Sequence, residues 1–292
     1  MLGAFLIWMR IGLLSWPSWT DRLNFVFCWA ASIPLIYYAA ELKQYSMDVL
    51  AGAALTYLLL RVSSGKISTW WLLVFPLIGI FSYPVLFLMF IPVYVLWTTK
   101  KVFYEYIAVC GIVVTYVWYV DARHSPAYLL ETYWHDYFIS FTSVPEFFKT
   151  LGEGTNNAIS RWFVETPNIF RALARVFLGI AFFHMLWHGV KGIRILDRTI
   201  QVSTITLLVF IELLILGAFH KFPFTVPRMS LFFAPMLMFC LVDVFATLRQ
   251  RLPKFYWPIQ VMLWAYLAIM SVGIAREVMQ GALGAQTAIW SG

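Results

Sequence analysis

Charged side chains are scarce in this sequence of 292 residues: 12% are Asp, Glu, Lys or Arg, whereas 62% are hydrophobic. A soluble globular domain contains about 25% charged and about 45–50% apolar residues. The shortage of charge excludes an ordinary soluble domain, and the abundance of apolar side chains excludes a disordered chain. The repeats of a coiled coil or a collagen are also missing. We therefore expect an integral membrane protein surrounded by a lipid bilayer.

Cysteine is equally scarce, since Cys28, Cys110 and Cys240 are the three in the chain. Each lies within an apolar run, without the clustered spacing of a disulfide framework or a zinc site. We interpret them as packing residues inside the membrane. The sequence also lacks a Walker loop, a dinucleotide fingerprint, a nucleophile elbow and a zinc-protease helix. We expect no metal and no cofactor.

Long apolar runs dominate what is present. A helix needs roughly 20 apolar residues to cross a bilayer. The predicted fold class is all-α, a polytopic transmembrane bundle with about nine or ten segments, at 2–17, 22–40, 46–61, 70–82, 85–98, 102–120, 170–188, 199–219, 230–247 and 256–275. The short pair at 70–98 is interrupted at Ser82, Tyr83 and Pro84, and forms either two short helices or one re-entrant hairpin.

Three regions follow from this pattern: N-terminal transmembrane helices in 1–120, one long connection in 121–169, and C-terminal transmembrane helices in 170–292. The long connection is rich in aromatic residues, which predicts short amphipathic helices at the membrane interface. Ser143 resembles the N-cap of one such helix, and the stretch from Gly152 to Asn157 predicts a turn. The loop either covers a substrate or forms an inert cap.

The basic residues indicate the orientation. They lie between the apolar runs and do not cluster on one soluble face, so the net charge of +7 does not indicate nucleic-acid binding. By the positive-inside rule, the cytoplasmic connections are those holding Arg22, Arg61, Lys66, Lys100, Lys101, Lys191, Arg194, Arg198, Arg249, Arg251 and Lys254. If 70–98 is a hairpin, the N-terminus lies outside, and the first segment is a retained helix rather than a signal peptide.

Three polar groups lie on the predicted outer side. The first group spans 41–48 and contains Glu41, Lys43, Tyr45 and Asp48. The second spans 220–228 and contains His220, Lys221 and Arg228. The third spans 133–138 and contains Trp134, His135 and Asp136. Cations at a membrane surface suit phosphate, which Arg binds bidentately and Lys as a point charge. Each group has an alternative interpretation. The first is a self-paired loop, and the second contacts lipid headgroups. In the third, His135 and Asp136 are adjacent and so do not share a helix face.

Further polar residues fall within the predicted spans. His184 and His188 share a helix face, and we favour a satisfied histidine pair over a metal or haem site. Glu105, Glu212 and Asp243 are candidates because carboxylates inside a membrane are generally functional. Glu212 is the most central of these, and would pair with Arg175 or Arg171 if their helices touch.

Four motifs carry a resemblance to a known family. They are E-L-K-Q-Y-S-M-D-V-L at 41–50, F-S-Y-P-V-L-F at 81–87, Y-L-L-E-T-Y-W-H-D-Y-F at 128–138 and F-P-F-T-V-P-R-M-S-L-F-F-A-P at 222–235. In this order they resemble motifs of bacterial membrane proteins related to the dolichyl-phosphate-mannose protein mannosyltransferases. That family belongs to the GT-C glycosyltransferases, multi-helix membrane enzymes that use polyprenyl-phosphate sugars on the outer face.

The resemblance implies a transferase in a bacterial inner membrane with its active face outward. It also implies that two spans and an acidic catalytic loop precede the matched region, so we expect them from residues before Met1 in a longer protein or from a second membrane chain. The implied donor-phosphate ligands are Arg228, Lys43 and Lys221, and the implied donor or acceptor contacts are Glu41, Tyr45, His220, Trp134, His135 and Asp136. Arg228→Ala should then weaken donor binding, and Arg249→Ala should not. The alternative is an inactive subunit of a larger membrane complex.

Overall fold

The computed structural model of the chain describes residues 1–32, 35–36, 45–99, 102–120, 123, 138, 140–160, 168–194, 200–219 and 231–279. All regular elements within these ranges are helical, which confirms the all-α prediction. The α-helices are α1 Leu2–Ser15, α2 Trp19–Ala30, α3 Tyr45–Ser63, α4 Tyr83–Leu88, α5 Ile91–Thr99, α6 Phe103–Val120, α7 Val144–Ser160, α8 Asn168–Arg194, α9 Val202–Ala218, α10 Ala234–Arg251 and α11 Pro253–Met279. Three 3₁₀ helices span Thr69–Val74, Pro76–Ile80 and Leu231–Phe233.

Five of the described helices are long and apolar enough to cross a bilayer. These spans are Ser46–Ser63, Phe103–Val120, Arg175–Ile193, Leu231–Arg251 and Pro253–Gly273. Shorter apolar helical stretches occupy Leu2–Ser15, Thr69–Ile80, Val85–Trp97 and Val202–Ala218. The chain is therefore an integral membrane helix bundle, as the apolar runs predicted.

The region 69–99 is broken into four short helical pieces rather than two. Proline stands in the first turn of three of them, at Pro76, Pro84 and Pro92, where its missing N–H removes no helical hydrogen bond. Tyr106 on α6 helps to satisfy the carbonyls freed by these breaks, because its buried hydroxyl donates to the Met89 carbonyl at 2.6 Å. Such breaks in an apolar region require this kind of protein partner.

Helix α10 forms the centre of the bundle, and its residues from Ala234 to Val242 are all buried. It packs against α8, α2, α9 and α11. Helices α8 and α9 approach each other closely, because a Cβ on Gly189 would lie 2.8 Å from Leu207 Cβ and 3.0 Å from the Ser203 carbonyl oxygen. Small residues of this kind let helix backbones approach one another inside a membrane.

One end of the bundle gathers the basic residues. The Ile200 amide donates to Ser63 Oγ at 3.2 Å, so α9 begins where α3 ends. Tyr94 donates to the Ile193 carbonyl at 3.2 Å, which brings α5 to the same end as the C-terminus of α8. Helices α8 and α10 run toward this end together. Its described basic side chains are Arg22, Arg61, Lys66, Lys191, Arg249, Arg251 and Lys254. The connections assigned to one side by the positive-inside rule therefore share one end, which we call the basic end.

The long connection contains the amphipathic helix α7. Its start is as predicted, because Ser143 Oγ accepts the Glu146 amide at 3.3 Å. The predicted turn at 152–157 is wrong, since α7 continues through these residues to Ser160. A glycine costs a helix only about 1 kcal/mol relative to alanine, so isolated glycines do not end it.

Candidate functional site

Most of the predicted site residues lie outside the described part of the chain. They are Glu41, Lys43, Trp134, His135, Asp136, His220, Lys221 and Arg228. Tyr45 is the first residue of α3. The site is therefore built from the described residues that adjoin these positions in sequence.

Asp48 and Ser82 form a buried pair at the start of α3. Ser82 Oγ donates to Asp48 Oδ1 at 2.6 Å, and both residues are 3% exposed. Asp48 lies in the first turn of α3, where the partial positive charge of the helix N-terminus favours a carboxylate. Ser82 precedes α4 at the break between two helical pieces. The hydrogen bond thus fixes the broken region to the first turn of α3.

A second segment packs on the same part of α3. A Cβ on Gly52, one turn after Asp48, would lie 3.4 Å from the Phe232 Cβ and carbonyl oxygen and 3.4 Å from the Met236 methyl carbon. The absence of a side chain at Gly52 allows the backbone of Leu231–Phe233 to lie directly against α3. Leu231, Phe232 and Phe233 are all buried in this position.

Three of the four motifs therefore meet around the N-terminal half of α3. The segment 41–50 leads into α3, the segment 81–87 supplies Ser82, and the segment 222–235 supplies the 3₁₀ turn against Gly52. Of the remaining motif, 128–138, the described residue is Phe138, which is buried. Lys43 precedes α3 by two residues and Arg228 precedes Leu231 by three, so both predicted cations adjoin the junction in sequence.

A second polar cluster lies toward the basic end, between α8 and α10. Asp243 accepts a hydrogen bond from Trp16 Nε1 at 3.2 Å, and its other oxygen lies 3.1 Å from His184 Nε2. The His188 ring stacks on His184 with centroids 4.2 Å apart. His184 thus has a carboxylate partner, and the interpretation of a satisfied histidine pair stays a prediction for His188. Within the described residues no three His, Cys, Asp or Glu side chains come together as metal ligands.

Asp21 and Arg249 form an ion pair beside this cluster, in which the carboxylate is buried and the guanidinium is partly exposed. Asp21 is fully buried in the first turn of α2, and Arg249 Nη2 donates to its Oδ2 at 2.5 Å. Removing one partner of a buried pair leaves an uncompensated charge. Arg249 is therefore a poor control for donor binding, because its replacement would damage the fold.

An amide network joins α2 to α11 in the interior. Asn24 Nδ2 donates to Gln260 Oε1 at 3.0 Å, and Gln260 Nε2 donates back to Asn24 Oδ1 at 2.6 Å. Trp264 Nε1 donates to the same Asn24 oxygen at 2.8 Å. Both amide side chains are fully buried. These hydrogen bonds satisfy polar groups that would be costly to leave unpaired in an apolar core.

Glu212 lies on α9 with a buried Oε2 that has no hydrogen-bond partner. The expected pairing with Arg175 is not formed, although α8 and α9 pack closely. Arg175 is exposed, whereas the side chains of α8 that contact α9 include Phe182, whose ring centre lies 4.9 Å from that of Phe210. The Arg171 side chain lies outside the described residues.

The sequence identified some of the polar residues within the spans but not which residues they pair with. Asp243 and His184 were candidates separately, but no spacing rule joins residues 59 positions apart. Asn24 and Gln260 were missed entirely, although amides within apolar runs are a usable signal of interhelical hydrogen bonds. The cysteines are as predicted: Cys28, Cys110 and Cys240 are free and buried.

Comparison with known proteins adds no neighbour: no family model matches the chain, and neither a curated protein nor a solved structure matches it.

Proposed function

We propose that this chain is part of a GT-C-like membrane glycosyltransferase, which moves a sugar from a polyprenyl-phosphate donor to an acceptor at the end of the bundle where α3 begins. The observation that carries the proposal is the buried hydrogen bond between Ser82 and Asp48. It joins two motifs that lie 34 residues apart, and the motif ending at Pro235 packs on Gly52 one turn away. Motifs that come together in this way are expected to serve one site.

The chemistry asked of these residues is phosphate recognition. In the transfer, the acceptor hydroxyl gives its proton to a base, its oxygen bonds to the anomeric carbon, and the bond from that carbon to the phosphate oxygen breaks. The lipid phosphate leaves with the electron pair, so negative charge increases on its oxygens. Arg228, Lys43 and Lys221 are the proposed cations that stabilise this charge. A second membrane chain is the proposed source of the base.

The proposed location is a bacterial inner membrane, with the junction at the start of α3 facing outward. The gathering of basic residues at the opposite end supports this orientation, because cytoplasmic connections carry an excess of Lys and Arg. At the outward end, residues of the segments 41–48, 133–138 and 220–228 supply the contacts to donor and acceptor: Glu41, Tyr45, Trp134, His135, Asp136 and His220.

Donor binding tests the proposal. The full chain in nanodiscs is titrated with a fluorescent polyprenyl-phosphate sugar, and Arg228→Ala is compared with wild type. Loss of a charge-assisted hydrogen bond costs about 1.5–3 kcal/mol, so the donor Kd should rise roughly ten- to a hundredfold. Lys66→Ala is the matched control, because Lys66 is an exposed cation at the basic end, and it should leave the Kd unchanged. Equal effects of the two substitutions would refute the assignment of Arg228.

The alternative function is that of an inactive subunit. The exposed aromatic face of α6, which includes Tyr104, Tyr116, Trp118 and Tyr119, favours it as a surface for packing against another membrane chain. Absence of donor binding in the intact natural complex, together with a stable partner chain that is lost on replacing these aromatics, would support the subunit and reject the transferase.

A further inference from the structure

A row of polar side chains follows one face of α8 toward the basic end. His184, His188 and Lys191 stand at positions i, i+4 and i+7, which share a helix face. The row covers about 10 Å along the helix axis, at about 1.5 Å per residue. Helix α10 packs against α8 here and ends at Arg251. We call the surface formed by His188, Lys191 and Arg251 the basic groove.

Within the described residues, no carboxylate forms an ion pair with Lys191 or Arg251 of the basic groove. Among the described ion pairs, Arg249 is bound to Asp21 and His184 to Asp243, whereas Lys191 and Arg251 have no carboxylate partner. The charged groups near enough to act electrostatically on His188 are, in decreasing order of effect, His184, Asp243, Lys191 and Arg251. Two cations thus lie near His188 at the basic end of α8 and α10.

The depth of the groove matches a lipid headgroup. Lys191 lies in the last turn of α8, and Arg251 is the last residue of α10. The Lys191 ammonium lies 4.2 Å from the centre of the Trp187 ring, which is itself 55% exposed. Tryptophan is enriched at the membrane–water interface, and basic side chains near helix ends reach toward the headgroups. These residues thus occupy the level at which lipid phosphates lie.

Asp243 limits how far an anion can enter. Its side chain is 41% exposed although it belongs to an apolar span, and it lies about 12 Å along α10 from Arg251 at about 1.5 Å per residue. Trp16 and His184 hold both of its oxygens. A phosphate would be attracted at the mouth of the groove and repelled by Asp243 further in. The order of charges therefore selects a shallow anionic ligand.

We propose that the basic groove binds the phosphate of an anionic phospholipid in the leaflet at the basic end. The neighbouring charged groups are Asp243 and Arg249 on α10, His184 on α8, and Asp21 and Arg22 on α2. Of these, Asp21 and Arg249 neutralise each other. The lipid, rather than free phosphate, is the ligand because the exposed apolar side chains Trp187 and Val190 adjoin Lys191 on α8, and acyl chains can lie against them. This site is separate from the proposed donor site at the opposite end.

Native mass spectrometry of the full chain tests this site. The protein is released from detergent micelles that contain phosphatidylcholine and increasing phosphatidylglycerol, and retained phosphatidylglycerol is counted for wild type and for the Lys191→Gln/Arg251→Gln double variant. Each basic residue near an anionic surface is worth roughly fivefold in binding, so the double variant should lose about 30-fold in affinity. The charge-conserving Lys191→Arg/Arg251→Lys variant should retain the lipid, which separates loss of charge from loss of fold.

Lys66→Gln is the matched control, since it removes an exposed cation from the same end but from the α3 side. The proposal predicts no change for this control. An equal loss for Lys66→Gln, or an unchanged affinity for the double variant, would overturn it. Inorganic phosphate in large excess should leave the retained lipid in place; its displacement would instead assign the groove to a soluble phosphate.

Discussion

Gly189 offers a quantitative test of the contact between α8 and α9. In Gly189→Ala the new methyl group would lie 2.8 Å from two carbons of Leu207 and 3.0 Å from the Ser203 carbonyl oxygen. The carbonyl belongs to the backbone and cannot rotate away, so the two helices must separate. Overpacking of this kind costs about 1–3 kcal/mol.

Helix propensity acts in the opposite direction. Alanine is favoured over glycine in a helix by about 1 kcal/mol, so Gly189→Ala should lower the free energy of unfolding by about 0–2 kcal/mol overall. Gly179 lies on the same helix with nothing within 4 Å of a built Cβ. Gly179→Ala therefore experiences the propensity gain alone and should raise stability by up to about 1 kcal/mol.

The assay is reversible unfolding in mixed micelles with increasing SDS, followed by tryptophan fluorescence. The informative quantity is the difference between the two variants, about 1–3 kcal/mol in favour of Gly179→Ala, because propensity cancels between two substitutions on one helix. Equal stability of the two variants would refute the close approach of α8 and α9.

Three further predictions concern buried polar contacts. In a double-mutant cycle of Asp48→Asn and Ser82→Ala, the coupling energy should be about 1.5–3 kcal/mol; a value near zero would mean that the two side chains do not meet. Arg249→Met should lower the free energy of unfolding by about 3–5 kcal/mol, because it leaves Asp21 unpaired. Adding Asp21→Asn should restore most of this stability. No recovery in the same SDS titration would contradict a direct pair. Tyr106→Phe should cost about 1 kcal/mol through its lost carbonyl partner, and unchanged stability would show that another group replaces the hydroxyl.

The membrane spans were predictable because they depend on local composition. Apolar runs such as 102–120 and 230–247 correspond to described helices within a few residues. The break at Ser82 was also visible, because proline and serine interrupt an apolar run there. These features depend on neighbours in sequence, which is the scale at which propensity and hydrophobicity act.

The contacts between distant helices were not predictable. The joining of Asp48 to Ser82 depends on how α3 packs against the broken region, and no residue pattern encodes that distance. The exposed position of Arg175 likewise depends on how α8 packs against its neighbours, which the local sequence does not specify. The predicted turn at 152–157 was wrong although it rested on local sequence, because the glycines and asparagines there do not end α7, which continues to Ser160.

The pairing of α2 with the last two helices has a consequence for synthesis at the ribosome. Asp21 is synthesised 228 residues before its partner Arg249. Asn24 is synthesised 236 residues before its partner Gln260. At about 5–20 residues per second, this delay is roughly 10–45 s. During that time a nascent α2 carries an unpaired carboxylate and amide, so it must stay near the translocon, an insertase or the aqueous interface until α10 and α11 arrive. Closure of the bundle is thus a late, post-insertion event, set by the C-terminal helices.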